Sequence, residues 1–144
     1  MPGKSLKASN TIVDLCVMLL HWVLHLSDRG PVEGCPEMVA VSHAWLEEHA
    51  CGGKPCKVLG WYPGSGSAIY LDDAMDIENN LVHTSIALHE LVHWVQRVEG
   101  TLGDTCKSSV AAEREAYFIQ RQYLDQYGSV YPIGSVLPSL GCKE

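Results

Sequence analysis

The pentapeptide His89-Glu90-Leu91-Val92-His93 constrains the fold of this chain more than any other feature. It lies in a stretch from about residue 78 to residue 99 whose apolar positions recur every three to four residues. This periodicity predicts an α-helix that ends at Gly100. Residues four apart are separated by roughly 40° around a helix, so both imidazoles project from one face. The opposite side carries the apolar residues expected in a core: Leu88, Leu91, Val92 and Val95.

This HExxH spacing suits one Zn²⁺ ion, bound by neutral imidazole nitrogens at about 2.0–2.1 Å. Glu90 is then expected to take a proton from water rather than to bind the metal. A catalytic zinc needs a third protein ligand and an open position. Glu113 lies on the next predicted helix, and an antiparallel helix pair would bring it beside the histidines. Glu115 competes for this role, but it lies roughly 200° away around the helix. The alternative is a surface helix that carries HExxH by chance.

The rest of the chain predicts an α+β fold, mainly helical, in one domain spanning residues 1–144. Helices are predicted at 12–26 and at about 110–127, the second capped by Ser108 or Ser109, and residues 38–49 form a strand or a short helix. Two β-prone runs, 57–62 and 68–71, flank a turn rich in glycine and serine and predict a small antiparallel hairpin or sheet before the HExxH helix. The tail after residue 128 is predicted to be irregular.

Composition and hydropathy exclude several functions. The 144 residues carry a formal net charge of −7, which argues against nucleic-acid binding through a basic surface. The longest apolar run, Ile12–Leu26, contains Asp14, His21 and His25, so it is too short and too polar to span a membrane. No small-residue cleavage site follows it, and we expect no export signal in this sequence. His21 and His25 lack an acidic neighbour at the HExxH position and are expected to be exposed or partly buried rather than ligands.

Six cysteines are a surplus in a domain of this size. If the compartment is oxidising, Cys51–Cys56 and Cys106–Cys142 are expected to form disulfides. Cys16 is either a buried free thiol or the partner of Cys35. No second cysteine pair lies at the spacing that a structural zinc site with Cys51 and Cys56 would need. This cysteine usage favours an exported or periplasmic protein.

HExxH followed by a glutamate on a separate helix resembles the gluzincin metallopeptidases, and the chain is similar to their small single-domain forms, the minigluzincins. Residues 57–142, with LHELVHWVQ, Cys106, ExxAYxxQ and Cys142, also resemble a group of small bacterial HExxH proteins. The resemblance implies a zincin-like fold and Zn²⁺ bound by His89, His93 and Glu113. It further implies that Glu90 is the catalytic general base and that the substrate is a peptide or protein.

The same resemblance implies roles for residues around the metal. In the ExxxD element of related families the glutamate ligand is followed by alanine at the third position and aspartate at the fourth, and Glu113, Ala116 and Tyr117 fill these places, which favours Glu113 over Glu115 as the ligand. Tyr117 departs from the aspartate that often orients the first histidine, and its phenol is expected to hydrogen-bond that ring instead. In such folds the edge strand before the HExxH helix binds extended peptide, which assigns substrate binding to Ile69 and Tyr70; an ordinary hairpin packed against the helix is the alternative. A tyrosine or histidine stabilises the oxyanion, and the candidates are Tyr70, His83, Tyr123, Tyr127 and Tyr131.

These observations predict a zinc-dependent hydrolase, most simply a metallopeptidase. A zinc-binding or regulatory protein without turnover is the main alternative, because full-sized peptidases have a second subdomain that completes the cleft. Peptide deformylases also combine HExxH with a Glu-Gly-Cys sequence, and Glu33-Gly34-Cys35 is present here. The rest of their pattern is missing, and Glu113 would have no role in such an enzyme.

Overall fold

The structure, a computed structural model, describes residues 3–5, 10–129 and 142. Its elements follow in this order: β1 (Gly3–Ser5), α1 (Asn10–Leu26), β2 (Glu37–Val41), α2 (His43–Ala50), β3 (Gly60–Trp61), β4 (Ala68–Asp72), α3 (Leu81–Val98) and α4 (Cys106–Gln126). Four helices and a small sheet within this part of the chain confirm the predicted α+β class. Tyr131 and most of the predicted irregular tail lie outside the described residues.

The strands form a mixed sheet in the order β1–β2–β4–β3. β3 and β4 pair in the predicted antiparallel hairpin, with Trp61 opposite Tyr70. The expectation of an antiparallel sheet is nevertheless wrong, because β2 runs parallel to β4. Segment 38–49 contributes to both a strand and a helix. The change occurs at Ser42, whose side chain accepts the Trp45 N–H and caps α2.

The HExxH helix α3 lies at the centre of the fold. It contacts α1, α4, β3 and β4, so most of its circumference is buried. The apolar side predicted for it is fully buried, as the exposures of Leu88, Leu91, Val92 and Val95 are all zero. A second, smaller cluster of Val39, Val41 and Leu46 packs with aromatic residues of α2, β3 and β4.

Both long C-terminal helices have defined starts. Asn80 caps α3 by accepting the His83 N–H. α4 begins at Cys106, earlier than predicted, because Thr105 rather than Ser108 or Ser109 is its N-cap. Thr105 and Ser108 exchange side-chain and backbone hydrogen bonds in a capping box. The capping box therefore adds one helical turn before the segment that carries Glu113.

Three disulfides join the six cysteines: Cys16–Cys35, Cys51–Cys56 and Cys106–Cys142. Both pairs predicted from the sequence, Cys51–Cys56 and Cys106–Cys142, are present, and of the two alternatives for Cys16 the structure has the disulfide with Cys35. Three disulfides are consistent with an oxidising, exported environment. None of the helices in the described ranges has the length and apolar content that crossing a bilayer requires.

Candidate metal centre

Three predicted ligands converge between α3 and α4. Glu113 Oε1 lies 3.1 Å from His89 Nε2 and 2.5 Å from His93 Nε2. One ligand atom from each residue lies within 4.8 Å of the others, which makes this group able to hold a metal ion. The side chains of His89 and His93 are 8% and 12% exposed, whereas that of Glu113 is 36% exposed. The cluster is therefore reached from solvent at the Glu113 side.

The packing of α4 on α3 decides which glutamate faces the histidines. Ala112 and Ala116 flank Glu113 and are buried, and their short side chains allow the two helices to approach closely. Glu115 points elsewhere: its Oε1 accepts hydrogen bonds from Gln96 and Arg29. Of the two glutamates, it is therefore Glu113 that lies beside the histidines.

Two buried glutamines contact the outer nitrogens of the histidine rings. Gln120 Oε1 lies 2.9 Å from His89 Nδ1, and Gln96 Oε1 lies 2.8 Å from His93 Nδ1. Both rings therefore keep Nε2 directed at Glu113. The expected hydrogen-bonding role of Tyr117 is wrong, because Gln120, one turn further along α4, occupies the position at Nδ1. Tyr117 instead packs its ring edge-on against His89, with centroids 4.5 Å apart.

Glu90 lies beside β3. It is 8% exposed, and its Oε1 accepts the backbone N–H of Tyr62 at 2.9 Å. The glycine at position 60 leaves room for this approach, because a Cβ there would lie 3.1 Å from Glu90 Cγ and 3.0 Å from Ile86 Cγ2, closer than side chains usually pack. The carboxylate is thus held at the edge of the sheet, next to the first histidine.

A cleft of about 420 Å³ opens over the cluster. Besides His89, His93, Glu113 and Glu90, its lining is uncharged: Ala50, Val58, Gly60, Trp61, Tyr62, Pro63, Gly64, Leu102, Gly103, Ser109 and Ala112. The segment 60–64 supplies one wall, and α4 with the loop before it supplies another. The carboxylates and imidazoles of the lining are therefore those of the cluster and of Glu90.

Charge coupling within the cluster shifts several pKa values. Burial lowers the pKa of His93, but the Glu113 hydrogen bond and the charges of Glu90 and Glu113 together raise it to about 8. Burial likewise opposes ionisation of Glu113, yet its hydrogen bonds to His89 and His93 hold its pKa well below the usual range. Burial, then the charges of Glu113 and Glu90, raise the pKa of Tyr117. In metal-free protein the carboxylate is consequently ionised.

Ile69 and Tyr70, which the sequence assigns to substrate binding, are not among the residues that line the cleft. β4 is paired with β2 and β3, so it is an interior strand and the expectation of an edge strand at Ile69 and Tyr70 is wrong. Ile69 is fully buried, and Tyr70 packs against Trp45 and Trp61. The strand that lines the cleft is β3. For β4, the structure fits the other interpretation of the sequence, an ordinary hairpin that packs against α3.

The oxyanion candidates in the described part of the chain also lie away from the cleft lining. Tyr123 and Tyr127 contact Trp22 of α1, and His83 Nδ1 accepts the Asp76 N–H. The phenol ring of Tyr117 contacts His89. His21 and His25 are exposed on α1, as expected for histidines outside a metal site.

Sequence reasoning missed Gln96 and the role of Gly60 in the site. Gln96 was recognisable only by its position three residues after His93, and Gly60 only as a glycine in a β-prone run. Comparison of the chain with known protein families, with curated proteins and with solved structures found no match. Functional inference therefore rests on the residues of this chain.

Proposed function

We propose that this protein is a zinc-dependent hydrolase, a minimal gluzincin-like metallopeptidase with a zincin-like fold. His89, His93 and Glu113 are its zinc ligands, and Glu90 is its general base. The observation that carries the proposal is the convergence of two Nε2 atoms and one carboxylate oxygen beside a fourth, separately held carboxylate. A structural site would have a fourth protein ligand instead of an open cleft.

The donor set fits zinc. Two imidazoles and one carboxylate form a common catalytic zinc set, and ligand atoms around a tetrahedral ion are about 3.3 Å apart. The distances of 3.1 and 2.5 Å from Glu113 Oε1 to the two Nε2 atoms require only a small opening of the cluster. When bound there, zinc supplies a Lewis acid that activates water and polarises a carbonyl group.

Glu90 performs the proton transfers in this proposal. The Tyr62 N–H fixes one carboxylate oxygen, which orients the side chain without neutralising it. The carboxylate accepts a proton from the attacking water and delivers it to the nitrogen of the departing amine. Because burial and a fixed hydrogen bond limit its motion, Glu90 needs little reorganisation between these steps.

We propose that peptide substrate lies along β3 rather than β4. β3 is at the end of the described sheet, and residues 60–64 form a wall of the cleft. Backbone groups at such an edge can pair with an extended peptide. The uncharged lining suits uncharged side chains near the scissile bond, since a charged side chain would lose hydration there without gaining a partner. We place this activity in an oxidising compartment, in keeping with the three disulfides.

Zinc content and peptide cleavage should be measured together for the wild type, Glu90→Gln and the exposed control Glu78→Gln. The proposal expects about one zinc per chain in all three proteins and cleavage of a peptide library by the wild type and the control. Glu90→Gln should bind zinc but lose at least about 100-fold in rate, in the range of a general-base contribution. Zinc binding without cleavage by any of the three would favour the alternative of a non-catalytic zinc-binding protein. Absence of zinc from the wild type would contradict both.

A further inference from the structure

We propose that Gln96 and Gln120 are positioning residues that hold both histidines in the tautomer required for metal binding, and that Glu115 and Arg29 hold Gln96 in place. This inference rests on the metal centre of the proposed function, but it is independent of hydrolytic activity. It assigns a role to two buried glutamines and an ion pair that the catalytic scheme does not use.

The surroundings of Gln96 allow one orientation of its amide. Its Nε2 lies 3.1 Å from the carbonyl oxygen of Ala112 and 2.8 Å from Glu115 Oε1. Both of these atoms accept hydrogen bonds only, so the NH₂ group must face them. The amide oxygen then faces His93 Nδ1 at 2.8 Å. A His93 ring that donates to this oxygen carries its proton on Nδ1, and when that ring is neutral its lone pair is on Nε2, the atom that would bind the metal.

Gln120 fixes His89 in the same way. Its Nε2 donates to Ser85 Oγ at 3.1 Å, and the Ser85 hydroxyl in turn donates to the Val82 carbonyl oxygen. The serine oxygen is thus available as an acceptor, and the Gln120 amide oxygen faces His89 Nδ1 at 2.9 Å. Since Gln96 and Gln120 are only 1% and 3% exposed, water does not readily replace either contact.

The Gln96 amide is held in turn by charges from two other elements. Arg29, just after α1, donates to Glu115 Oε1 and to Glu99 Oε1, each at 2.5 Å. A flipped Gln96 amide would place its oxygen against Glu115 Oε1 and the Ala112 carbonyl, which is repulsive. It would also place NH₂ against His93 Nδ1 and move the ring proton to Nε2, where it blocks the metal. Glu115, anchored by Arg29, therefore determines which nitrogen of His93 is free.

Both acceptors are neutral amides rather than carboxylates. A carboxylate at this position would add negative charge and raise the basicity of the ligand. With amides, Glu113 is the only anionic ligand among the three, and more of the positive charge of the metal is left uncompensated. The glutamines therefore give the imidazoles their orientation while preserving the Lewis acidity of the metal.

The first test measures zinc affinity by competition with a chromophoric chelator. Gln96→Met and Gln120→Met should weaken zinc binding about 10- to 100-fold, the usual effect of losing such a partner. Gln120→Glu retains an acceptor for His89 and should restore binding to at least the wild-type level. Arg29→Met and Glu115→Ala should weaken it by smaller factors. The exposed controls Gln126→Met and Arg114→Met should match the wild type. Wild-type affinity in both glutamine-to-methionine variants would overturn the inference.

The second test needs neither zinc nor activity. Nitrogen-15 NMR of the metal-free Glu113→Ala variant at pH 9 identifies the protonated nitrogen of each neutral imidazole without the carboxylate that faces Nε2 in the wild type. His89 and His93 should carry Nδ1–H in this variant, and each should lose this preference when its own glutamine is also replaced by methionine. Nε2–H on both rings of Glu113→Ala would overturn the inference. If the wild type binds zinc and the variant has the expected tautomers but the wild type cleaves no peptide, only the proposed hydrolytic function fails.

Discussion

Glu113 Oε1 lies 2.5 Å from His93 Nε2, across the interface between α4 and α3. In the metal-free protein this contact is a hydrogen-bonded ion pair, because the pKa of His93 is raised to about 8 and that of Glu113 is lowered. A metal ion and a proton therefore compete for the same nitrogen atom. This competition makes both metal affinity and the stability of the metal-free protein depend on pH.

We expect zinc binding to release a proton from His93 below pH 8 and the apparent zinc affinity to rise with pH up to about 8. Above that pH the imidazole is already neutral, and the contribution of this group levels off. Calorimetric titration in two buffers of different ionisation enthalpy measures the number of protons released. Equal proton release at pH 6.5 and pH 9 would contradict the assignment.

The free energy of unfolding of the metal-free protein should instead fall as the pH rises into the alkaline range. Since the folded pKa of His93 is raised from 6.5 to about 8, its ion pair stabilises fully below pH 6.5 and this contribution is lost as pH rises through about 8. The folded pKa of Glu113 is lowered from 4.5, so its contribution is present above that pH and lost in acid. Urea unfolding across this range should place the stability maximum between about pH 4.5 and 6.5. Glu113→Gln should flatten both flanks.

Gly60→Ala tests the close approach of β3 to the general base. Its Cβ would lie 3.0 Å from Ile86 Cγ2, 3.1 Å from Glu90 Cγ and 3.3 Å from Leu71 Cδ2. We expect a loss of about 1–3 kcal/mol in the free energy of unfolding, as for other overpacked sites, and a lower cleavage rate, because the Tyr62 N–H shifts from Glu90. Gly30→Ala is the matched control, since nothing lies within 4 Å of its Cβ position. Equal unfolding midpoints for the two variants would count against this close packing.

The residues of the cluster could be predicted because their arrangement on each helix is local. Helical spacing places His89 and His93 on one face, and it separates Glu113 from Glu115 around α4. The neighbour of β4 is not a local property: Glu37–Val41 pairs with Ala68–Asp72 from a distant part of the chain. That pairing makes β4 an interior strand, which is why its assignment as the substrate-binding edge was wrong.

The contacts of Gln120 with His89 and of Gln96 with His93 also depend on tertiary packing. The Gln120 side chain lies on the Glu113 face of α4, but a polar residue on a helix gives no sign that it will be buried. Its role appears only when α3 brings Ser85 and His89 to either end of the amide. Tyr117 lies on that face too, and only the packed structure shows that its contact with His89 is through the ring.

His43 predicts a second pH dependence, in the region of the sheet and α2. Its Nδ1 lies 2.8 Å from Asp72 Oδ2 and its Nε2 lies 2.7 Å from the Cys56 carbonyl oxygen, so both nitrogens face acceptors. The Cys56 and Asp72 hydrogen bonds raise the pKa of His43. Their stabilisation is thus present below pH 6.5 and lost as pH rises through the raised pKa.

His43→Leu should consequently lower the urea midpoint more at pH 5.5 than at pH 8.5. His21→Leu, on the exposed part of α1, is the control, and the difference between the two pH values should be larger for His43→Leu than for this variant. A loss in His43→Leu that does not vary with pH would indicate that the imidazole acts there through packing alone.

The three disulfides should contribute to stability in the order of the chain length that each closes. The sequence separations are 36 for Cys106–Cys142, 19 for Cys16–Cys35 and 5 for Cys51–Cys56. Loop-closure entropy then predicts losses of about 4, 3 and 2 kcal/mol when each pair is replaced by alanine. Guanidinium unfolding of the three double variants measures these losses. Cys51–Cys56 closes a loop too short to restrict the unfolded chain strongly, so a larger loss there than for Cys106–Cys142 would show that native-state contacts dominate its effect.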